Sequence, residues 1–247
     1  MYPVLFRIGG FEVTSFGVLM AVAALVSLWL FGRELRRSAL PENSLNAAVG
    51  GVLGGLVGAK VLWTIEFSGS EPIAGLLFSR GGLSWFGGLI GGVTTGLLLL
   101  HHYRVPIIRG LAAAAPALAI GHAIGRIGCF LVGDDYGRAT DLPWGVAFPH
   151  GLPPIDVPVH PTQLYESTAL ACVGWLLIRW RGRGVQDAVV VGRYFVLAGA
   201  IRFAIEFVRI NRQVLGPFTF AHLLSASLVV VGIVVLTRVR FGAVRNP

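Results

Sequence analysis

The sequence predicts an all-α integral membrane protein with seven transmembrane helices, a small irregular lid after the fourth, an outer N-terminus and an inner C-terminus. Composition is the first observation behind this prediction, because 55% of the 247 residues are hydrophobic and 13% are charged, whereas soluble domains carry about 25% charged residues. The second is that apolar residues form blocks, and a helix needs roughly 20 such residues to cross a hydrocarbon core. We therefore expect one membrane-embedded domain over residues 1–247.

Seven apolar segments follow one another along the chain and supply the predicted helices. They cover residues 14–32, 45–65, 83–100, 111–133, 163–180, 194–208 and 219–237. The second and third are rich in glycine, as in "GGVLGGLVGAK" (50–60) and "GGLSWFGGLIGG" (81–92). Small residues let membrane helices approach closely, since lipid provides no hydrophobic drive for their association. We therefore interpret these two segments as closely packed helices.

Arginine is distributed unequally between the two sets of loops. Twelve arginines follow the odd-numbered segments: Arg33, Arg36, Arg37, Arg104, Arg109, Arg179, Arg181, Arg183, Arg193, Arg238, Arg240 and Arg245. The opposite side has five: Arg7, Arg80, Arg138, Arg209 and Arg212. Because cytoplasmic loops retain Lys and Arg, the N-terminus is predicted outside and the C-terminus inside. The net charge of +8 then reflects topology, and we expect no nucleic-acid partner.

The longest connection, residues 134–162, joins the fourth and fifth segments on the outer side. Its prolines, glycines and alternating acids and aromatics predict an ordered, irregular lid rather than a flexible linker. Long ordered loops tend to carry function. The lid is therefore the first place where we expect functional residues.

Four charged residues lie within or close to apolar segments, namely Lys60, Arg126, Arg202 and Glu206. A charge at the bilayer centre costs about 2.5–3.5 kcal/mol even on the lenient insertion scale, so such residues face a polar cavity or one another. Glu206 follows Arg202 by four residues and precedes Arg209 by three, so all three can share one helix face. A neutralised structural pair is the alternative to a functional role.

Arg126 has no carboxylate nearer in the sequence than Asp134 and Asp135, which we place near the outer boundary. The sequence therefore predicts that its guanidinium is available to an anion. Arginine suits phosphate, because its planar fork donates two parallel hydrogen bonds, and a phosphate-bearing lipid is the anion expected in a membrane. A snorkelling or internally paired arginine is the alternative.

The stretch "HPTQLYE" (160–166) begins the segment that follows the lid. It places His160, Gln163, Tyr165 and Glu166 close to the membrane boundary. His160 is either a catalytic residue or a hydrogen-bonded structural histidine. No cysteine or carboxylate stands at metal-ligand spacing from it, so no metal site is predicted.

Four stretches together resemble the bacterial prolipoprotein diacylglyceryl transferase family. "GRIGCFLVGDDYGR" (125–138) resembles the family signature G-R-[IL]-G-N-F-x-N-x-E-x-x-G, and "HPTQLYE" resembles a second motif. "GGLSWFGGLIGG" resembles the glycine-rich motif of the third helix, and "IRFAIEFVR" (201–209) the late arginine motif. The motifs occur in the family's order and cover nearly the whole chain.

The resemblance implies a reaction in which diacylglyceryl moves from phosphatidylglycerol to the thiol of the lipobox cysteine in a prolipoprotein. A thioether forms and glycerol phosphate is released, as the first step of bacterial lipoprotein maturation. The implied location is the cytoplasmic (inner) membrane, in which the chain is multi-pass. The expected partners are these two substrates and membrane lipid. No cofactor is expected, and the protein is expected to be a monomer.

The resemblance also assigns roles to residues of this chain. Arg126 and Arg202 match essential arginines, and His160 and Asp134 are the candidates for the thiol base, with Asp134 standing where the family has Glu. The expected substrate-binding residues are Arg126, Gly128, Gly137, Arg138, Gln163, Tyr165, Glu166, Glu206 and Lys60. Lys60 stands where the family tends to carry arginine, and a packing role is its alternative.

Five positions depart from the family pattern by losing polar atoms. Cys129 and Val132 replace asparagines, Phe86 replaces a histidine proposed as the base, and Phe16 and Ala198 replace tyrosines. Substrate binding is therefore better supported than thiol activation. One alternative is a diverged paralogue of weak or absent activity that binds phospholipid or lipoprotein. A small-molecule transporter is a second alternative, although the repeats common in transporters are not found.

Overall fold

The computed structural model describes residues 4–9, 11–69, 72–79 and 82–245, and this part of the chain is mainly helical. Its helices are α1 (Ser15–Arg37), α2 (Leu45–Glu66), α3 (Ile73–Phe78), α4 (Trp85–His102), α5 (Ile107–Val132), α6 (Thr162–Gly182), α7 (Asp187–Glu206) and α8 (Phe220–Arg245). Each of the seven apolar segments coincides with one long helix. The short helix α3 was not predicted, and Arg80, counted among the outer arginines, lies outside the described residues.

Five of the described helices are long and apolar enough to cross a membrane. These spans are Ser15–Arg37, Glu42–Glu66, Ile107–Val132, Asp187–Glu206 and Phe220–Arg240. Large apolar side chains on them point away from the protein interior, for example Leu25, Leu53 and Val230, which are 66%, 57% and 59% exposed. Such a surface is unfavourable in water and is typical of a lipid-facing one.

The two remaining long helices, α4 and α6, carry polar or charged residues near their ends. Helix α4 contains five glycines and ends with His101 and His102. Helix α6 carries Glu166 near its start and Arg179 and Arg181 near its end. These two helices are therefore not among the five apolar spans, although each coincides with a predicted segment.

The chain divides into two compact units, one formed by residues 28–113 and the other by residues up to 27 and from 114 onward. In the first unit, α2 packs on α4 through facing glycines. A Cβ atom on Gly58 would collide with the carbonyl oxygen of Gly87, and one on Gly54 would lie 2.9 Å from that of Gly91. The glycine-rich sequences thus allow the two backbones to touch.

The second unit holds the long helices that carry the conspicuous charges. Helices α7 and α8 pack closely, since a Cβ atom on Gly232 would lie 2.7 Å from the carbonyl oxygen of Gly192. Helix α6 is joined to α5 by a hydrogen bond of 2.8 Å from the Ser167 hydroxyl to the carbonyl of Ala123. This packing brings the ends of α5, α6 and α7 together with the lid.

In the described residues, three antiparallel hairpins lie outside the helices, and none was predicted. They pair β1 (Val4–Ile8) with β2 (Phe11–Thr14), β3 (Val146–Phe148) with β4 (Ile155–Val159), and β5 (Gln213–Leu215) with β6 (Phe218–Thr219). Strands of two to five residues are too short for their alternation to stand out in a sequence. The protein is all-α in its long elements, with small β-hairpins between them.

The lid is ordered, as predicted, but it is not wholly irregular, because it contains the hairpin of β3 and β4. Tyr136, Phe148 and Val159 form its buried core, and the Tyr136 and Phe148 rings stack with centroids 5.5 Å apart. The Tyr136 hydroxyl donates to the carbonyl oxygen of Pro153 over 2.8 Å. A packed core of its own fixes the lid as a small structural element.

Candidate functional site

Arg126 lies near the C-terminal end of α5 and is 7% exposed. Its Nη1 donates to Oδ2 of Asp135 over 2.8 Å, and its Nε lies 3.0 Å from Oε2 of Glu166. The prediction that this guanidinium lacks a neighbouring carboxylate is therefore wrong. The chain reverses immediately after α5, with Gly133 and Asp135 at φ 77° and 60°, and this turn returns Asp135 to the arginine.

A second guanidinium holds the other oxygen of the same carboxylate. Arg209, three residues beyond the end of α7, donates from Nη2 to Oδ1 of Asp135 over 2.7 Å and from Nη1 to the Asp135 carbonyl over 3.1 Å. The carboxylate thus bridges two arginines that are 83 positions apart in the chain. The Thr162 hydroxyl also donates to the Asp135 carbonyl, over 2.8 Å, which fixes the backbone of the turn.

The two neighbouring lid carboxyls have pKa values shifted in opposite directions. Burial acts to raise the pKa of Asp135, but the charge of Arg209 and the hydrogen bond from Arg126 outweigh it, so the pKa falls below its ordinary value. Burial raises the pKa of the Asp134 carboxyl, and the charge of Asp135 adds to the increase against an opposing hydrogen bond with Cys129. Asp135 is thus kept as an anion, while Asp134 holds a proton more readily.

Glu206, the last residue of α7, is fully buried and contacts both Arg202 and Arg209. Its Oε2 lies 2.7 Å from Nη1 of Arg202 and 3.8 Å from Nε of Arg209. Its other oxygen accepts hydrogen bonds from Asn211 and Thr219. The predicted pairing of Arg202 and Glu206 on one helix face is confirmed. Arg209 also contacts Glu206, but it lies beyond the end of α7 and does not belong to that helix face.

Glu166, near the start of α6, links two residues of α5. One of its oxygens pairs with Arg126, and the other lies 3.5 Å from Nε2 of His122. Its side chain is 4% exposed. A carboxylate this deeply buried needs a positive partner, so Glu166 and Arg126 hold each other in position.

An apolar groove of about 430 Å³ lies beside this cluster, between the lid, the start of α6 and the end of α7. The residues lining it are Leu142, Trp144, His160, Tyr165, Ala204, Ile205 and Val208. Three polar atoms meet at its edge, because the Tyr165 hydroxyl accepts from Nε1 of Trp144 over 2.8 Å and lies 3.3 Å from Nδ1 of His160. The groove therefore combines apolar walls with a histidine fixed by a hydroxyl group.

The signature glycines are packing positions. A Cβ atom on Gly137 would lie 2.5 Å from the Val208 carbonyl oxygen and 2.8 Å from Cβ of His160. One on Gly128 would lie 3.2 Å from Cδ2 of Phe16 in α1. Gly137 thus lets the lid run against the segment that follows α7, whereas Gly128 lets α5 approach α1.

Gln163 of α6 and Arg138 of the lid fix the backbone around the cluster. Gln163 donates from Nε2 to the carbonyl oxygen of Asp134 over 2.5 Å. Arg138 donates from Nε to the carbonyl of Arg209 over 3.3 Å, and from its backbone amide to the carbonyl of Val208 over 2.8 Å. These contacts attach the lid to α6 and to the end of α7.

Lys60, expected to bind substrate, belongs to the unit of residues 28–113. Its ammonium donates to the carbonyl oxygen of Ser79 over 2.9 Å and to the Ser79 hydroxyl over 2.8 Å. It also lies 4.7 Å from the centre of the Trp63 ring. These contacts favour the packing role. Phe86, in the same unit, stacks edge to face with Trp85.

The sequence analysis missed a cluster of potential metal ligands. Sγ of Cys129 and carboxylate oxygens of Asp134 and Asp135 lie within 4.8 Å of one another. Both Asp135 oxygens already accept from the guanidiniums of Arg126 and Arg209. Two neighbouring positive charges disfavour a cation at this position, so we do not interpret the cluster as a metal site.

Asp135 and Arg209 are the residues of the cluster whose roles the sequence did not reveal. Asp135 was placed at a membrane boundary, and Arg209 was counted only for topology and helix spacing. Nothing in the spacing links them, because their contact depends on how the turn after α5 meets the end of α7. The weak available signal was the pair of adjacent acids directly after an arginine-bearing helix.

Comparisons with known proteins agree with the resemblance in the motifs. The family model for prolipoprotein diacylglyceryl transferase matches residues 3–238. The phosphatidylglycerol–prolipoprotein diacylglyceryl transferase of Methylococcus capsulatus is 35% identical, over 95% of this chain and 94% of that protein. The protein of the same name from Geobacter sulfurreducens is 31% identical over 94% and 92%, and that from Clostridium tetani is 28% identical over 98% and 99%.

Proposed function

The chain belongs to the prolipoprotein diacylglyceryl transferase family, and we propose that it transfers diacylglyceryl from phosphatidylglycerol to the lipobox cysteine of prolipoproteins. In this reaction a bond forms between the cysteine sulfur and a glyceryl carbon of the lipid. The bond from that carbon to a phosphate oxygen breaks, its electron pair leaves with glycerol phosphate, and the thiol proton passes to a base. The products are a thioether and glycerol phosphate.

The observation that carries the proposal is the cluster of buried arginines beside an apolar groove. Ile205 and Val208 line the groove, and the next residues in the chain, Glu206 and Arg209, belong to the cluster. Departure of glycerol phosphate builds negative charge on oxygen, and fixed guanidiniums in a site of low water content stabilise such charge. The neighbouring apolar walls suit the hydrocarbon part of a lipid or of a signal peptide.

Arg126 and Arg202 are the proposed phosphate-binding and leaving-group residues. Arg126 is held by Glu166 and Asp135, and Arg202 by Glu206. Fixing a guanidinium in advance lowers the cost of reorganisation during the reaction. Arg202 is the more accessible of the two, with its side chain 27% exposed against 8% for Arg126.

His160 and Asp134 are the two candidates for the base that accepts the thiol proton. His160 lines the groove and its Nδ1 lies against the Tyr165 hydroxyl, so its Nε2 is the atom available for proton transfer. Asp134 has a raised pKa, and a carboxylate of raised pKa is the stronger base. Tyr165 and Gln163 are proposed to position these two residues through the contacts described above.

We propose that all seven long helices cross the cytoplasmic membrane of a bacterium, with the N-terminus and the lid outside and the C-terminus inside. Family membership over residues 3–238 supports treating the chain as one functional domain. The arginine distribution supports the orientation. Phosphatidylglycerol and the prolipoprotein lipobox segment are the proposed partners, bound by a monomer.

A diverged paralogue that binds lipid without transfer is the second candidate. The specific observation in its favour is Cys129, whose Sγ lies 3.5 Å from Nη1 of Arg126. The family's asparagine would place there an amide that both accepts and donates hydrogen bonds, and Phe86 likewise lacks the polar atoms of a histidine. The third alternative, a small-molecule transporter, draws no support from the family membership.

The test is transfer of labelled diacylglyceryl from phosphatidylglycerol to a lipobox peptide by the purified protein in detergent. We expect a thioether product, and we expect Arg126→Ala and Arg202→Ala each to reduce its rate by about a hundredfold or more, the loss typical when one charge-stabilising donor is removed. Arg212→Ala is the matched control, since Arg212 is an exposed arginine shortly after α7. Its rate should equal that of the wild type.

Two outcomes would contradict the proposal. Full activity in Arg126→Ala or Arg202→Ala, with normal membrane insertion, would rule out the phosphate-binding role. Absence of product despite saturable binding of phosphatidylglycerol would favour the diverged paralogue. In that case Phe86→His and Cys129→Asn, which restore the family's polar residues, are the variants to assay next.

A further inference from the structure

Asp135 occupies the position of a bound anion between two guanidiniums. Each of its carboxylate oxygens accepts one hydrogen bond, from Arg126 over 2.8 Å and from Arg209 over 2.7 Å. A phosphate group presents pairs of oxygens to arginine in the same charge-assisted way. The family signature leaves this position unspecified, so the carboxylate is a feature of this chain that the motif does not explain.

The two arginines lie behind the carboxylate rather than beside it. The Asp135 side chain is 48% exposed, whereas the side chains of Arg126 and Arg209 are each 8% exposed. An anion that approaches the guanidiniums from the accessible side therefore meets the Asp135 carboxylate first. It can bind both arginines only by taking the place of that carboxylate.

The arginines retain donors that Asp135 does not use. Nη2 of Arg126 is buried and donates no hydrogen bond to any residue that the structure describes, and the same holds for Nε of Arg209, whose nearest ion-pair contact is Glu206 at 3.8 Å. Buried donors without acceptors are costly. A phosphate carries more acceptor oxygens than a carboxylate and can satisfy donors that the carboxylate leaves over.

The carboxylate can move without unfolding the turn that carries it. The Asp135 carbonyl is held by the Thr162 hydroxyl and by Nη1 of Arg209, and the backbone on either side is fixed by Gln163 and by the lid contacts of Gly137. Rotation about the Cα–Cβ bond is therefore enough to withdraw the carboxylate. The side chain is half exposed, so it has space for another staggered position.

We propose that Asp135 is a specificity-determining residue that occupies the phosphate position between Arg126 and Arg209, and that the donor lipid binds by displacing it. This inference rests on the proposed use of phosphatidylglycerol. The carboxylate competes with the lipid phosphate and reduces its apparent affinity, as any competing state of a binding site does. It also keeps two buried guanidiniums paired when no lipid is bound.

The experiment measures phosphatidylglycerol binding to the full chain in nanodiscs of zwitterionic lipid, with the lipid titrated from vesicles. Asp135→Asn removes the charge and keeps the shape and one acceptor oxygen. We expect its Kd for phosphatidylglycerol to fall at least about fivefold, because a competing state is removed. Asp156→Asn is the matched control, since Asp156 is an exposed carboxylate in β4 of the lid, and its Kd should not change.

Equal or weaker binding by Asp135→Asn would overturn the proposal and make Asp135 a structural partner of the arginines. Thermal unfolding shows whether the variant is folded, and Asp135→Ser, which also lacks the charge, is measured if Asp135→Asn is not. A second titration uses glycerol phosphate, the released product, without phosphatidylglycerol. Tightening for phosphatidylglycerol supports the proposal, whereas tightening confined to glycerol phosphate would overturn its assignment to the donor lipid.

The transfer assay separates this inference from the proposed function. If the wild type forms no thioether but Asp135→Asn binds phosphatidylglycerol more tightly, the transferase proposal fails and the role of Asp135 stands. If the wild type forms thioether and Asp135→Asn binds no more tightly, the inference alone fails. The KM for phosphatidylglycerol gives an independent reading, because displacement predicts a lower KM in Asp135→Asn.

Discussion

Gly137 permits a close backbone contact that helps to position the arginine cluster. Its amide donates to the carbonyl of His160 over 2.9 Å, and the next amide, that of Arg138, donates to the carbonyl of Val208. This part of the lid therefore runs between the start of α6 and the end of α7. No side chain fits there, since a Cβ atom would lie 2.5 Å from one of the flanking carbonyl oxygens.

We expect Gly137→Ala to separate the lid from the end of α7. Overpacking a tight contact costs about 1–3 kcal/mol, and the displaced turn would lose the bridge between Asp135 and Arg209. The melting temperature in detergent should fall and transfer should be lost. Gly69→Ala is the control, because a Cβ atom there has no neighbour within 4 Å among the residues that the structure describes. Unchanged melting and transfer in Gly137→Ala would show that the lid contact is dispensable.

At the residue scale, the sequence located the unusual charges but not their partners. Arg126, Arg202 and Glu206 were identifiable because a charge in an apolar segment is expensive. The helical spacing of Arg202 and Glu206 also predicted their ion pair. Arg126 could not be paired in the same way, because its partners come from a sharp turn and from another helix. Such contacts depend on tertiary packing, which has no local signature.

At the scale of elements, the glycine-rich segments predicted close helix packing, and α2 and α4 show it. This prediction succeeds because its signal lies in the local sequence, since glycine permits two helix backbones to touch. The hairpins had no such signal, since each strand is too short to show alternation. The lid was predicted as an ordered element from its composition, whereas its aromatic core of Tyr136 and Phe148 was not.

The facing glycines of α2 and α4 make unequal contacts, which gives a matched pair of variants. Gly58→Ala would place a methyl group against the carbonyl oxygen of Gly87. The methyl group of Gly51→Ala would lie 3.5 Å from the carbonyl oxygen of Gly92, which is an ordinary van der Waals distance. We expect Gly58→Ala to destabilise the protein by about 1–3 kcal/mol. Gly51→Ala should be neutral or slightly stabilising, because alanine favours helix over glycine by roughly 0.5–1 kcal/mol.

Thermal unfolding of both variants in the same detergent measures this difference. A comparable loss of stability in both would mean that α2 and α4 pack differently from the described contact. A loss confined to Gly58→Ala would establish backbone contact as the basis of the pairing. Because the unit of residues 28–113 holds neither Arg126 nor Arg202, the effect on transfer is expected to be smaller than the effect on stability.

At the scale of the whole molecule, the orientation in the membrane is predicted from the distribution of charge. Twelve arginines follow the odd-numbered segments and five follow the others or precede the first. Retention of Lys and Arg in the cytoplasm then predicts that the lid and the arginine cluster lie outside. That location suits the reaction, because a secreted prolipoprotein presents its lipobox cysteine at the outer surface.

We predict this orientation for reporter fusions made at successive loops of the full-length protein. A reporter active only in the cytoplasm should be active after Arg37 and after Arg240, and inactive when inserted in the lid after Gly151. A reporter active only outside the cytoplasm should give the opposite pattern. Activity of the cytoplasmic reporter in the lid would invert the topology and place the site on the inner surface. The same pattern tests α4 as a span between Arg37 and Gly151 and α6 as a span between Gly151 and Arg240. An even number of crossings in either interval would put its two reporters on one side.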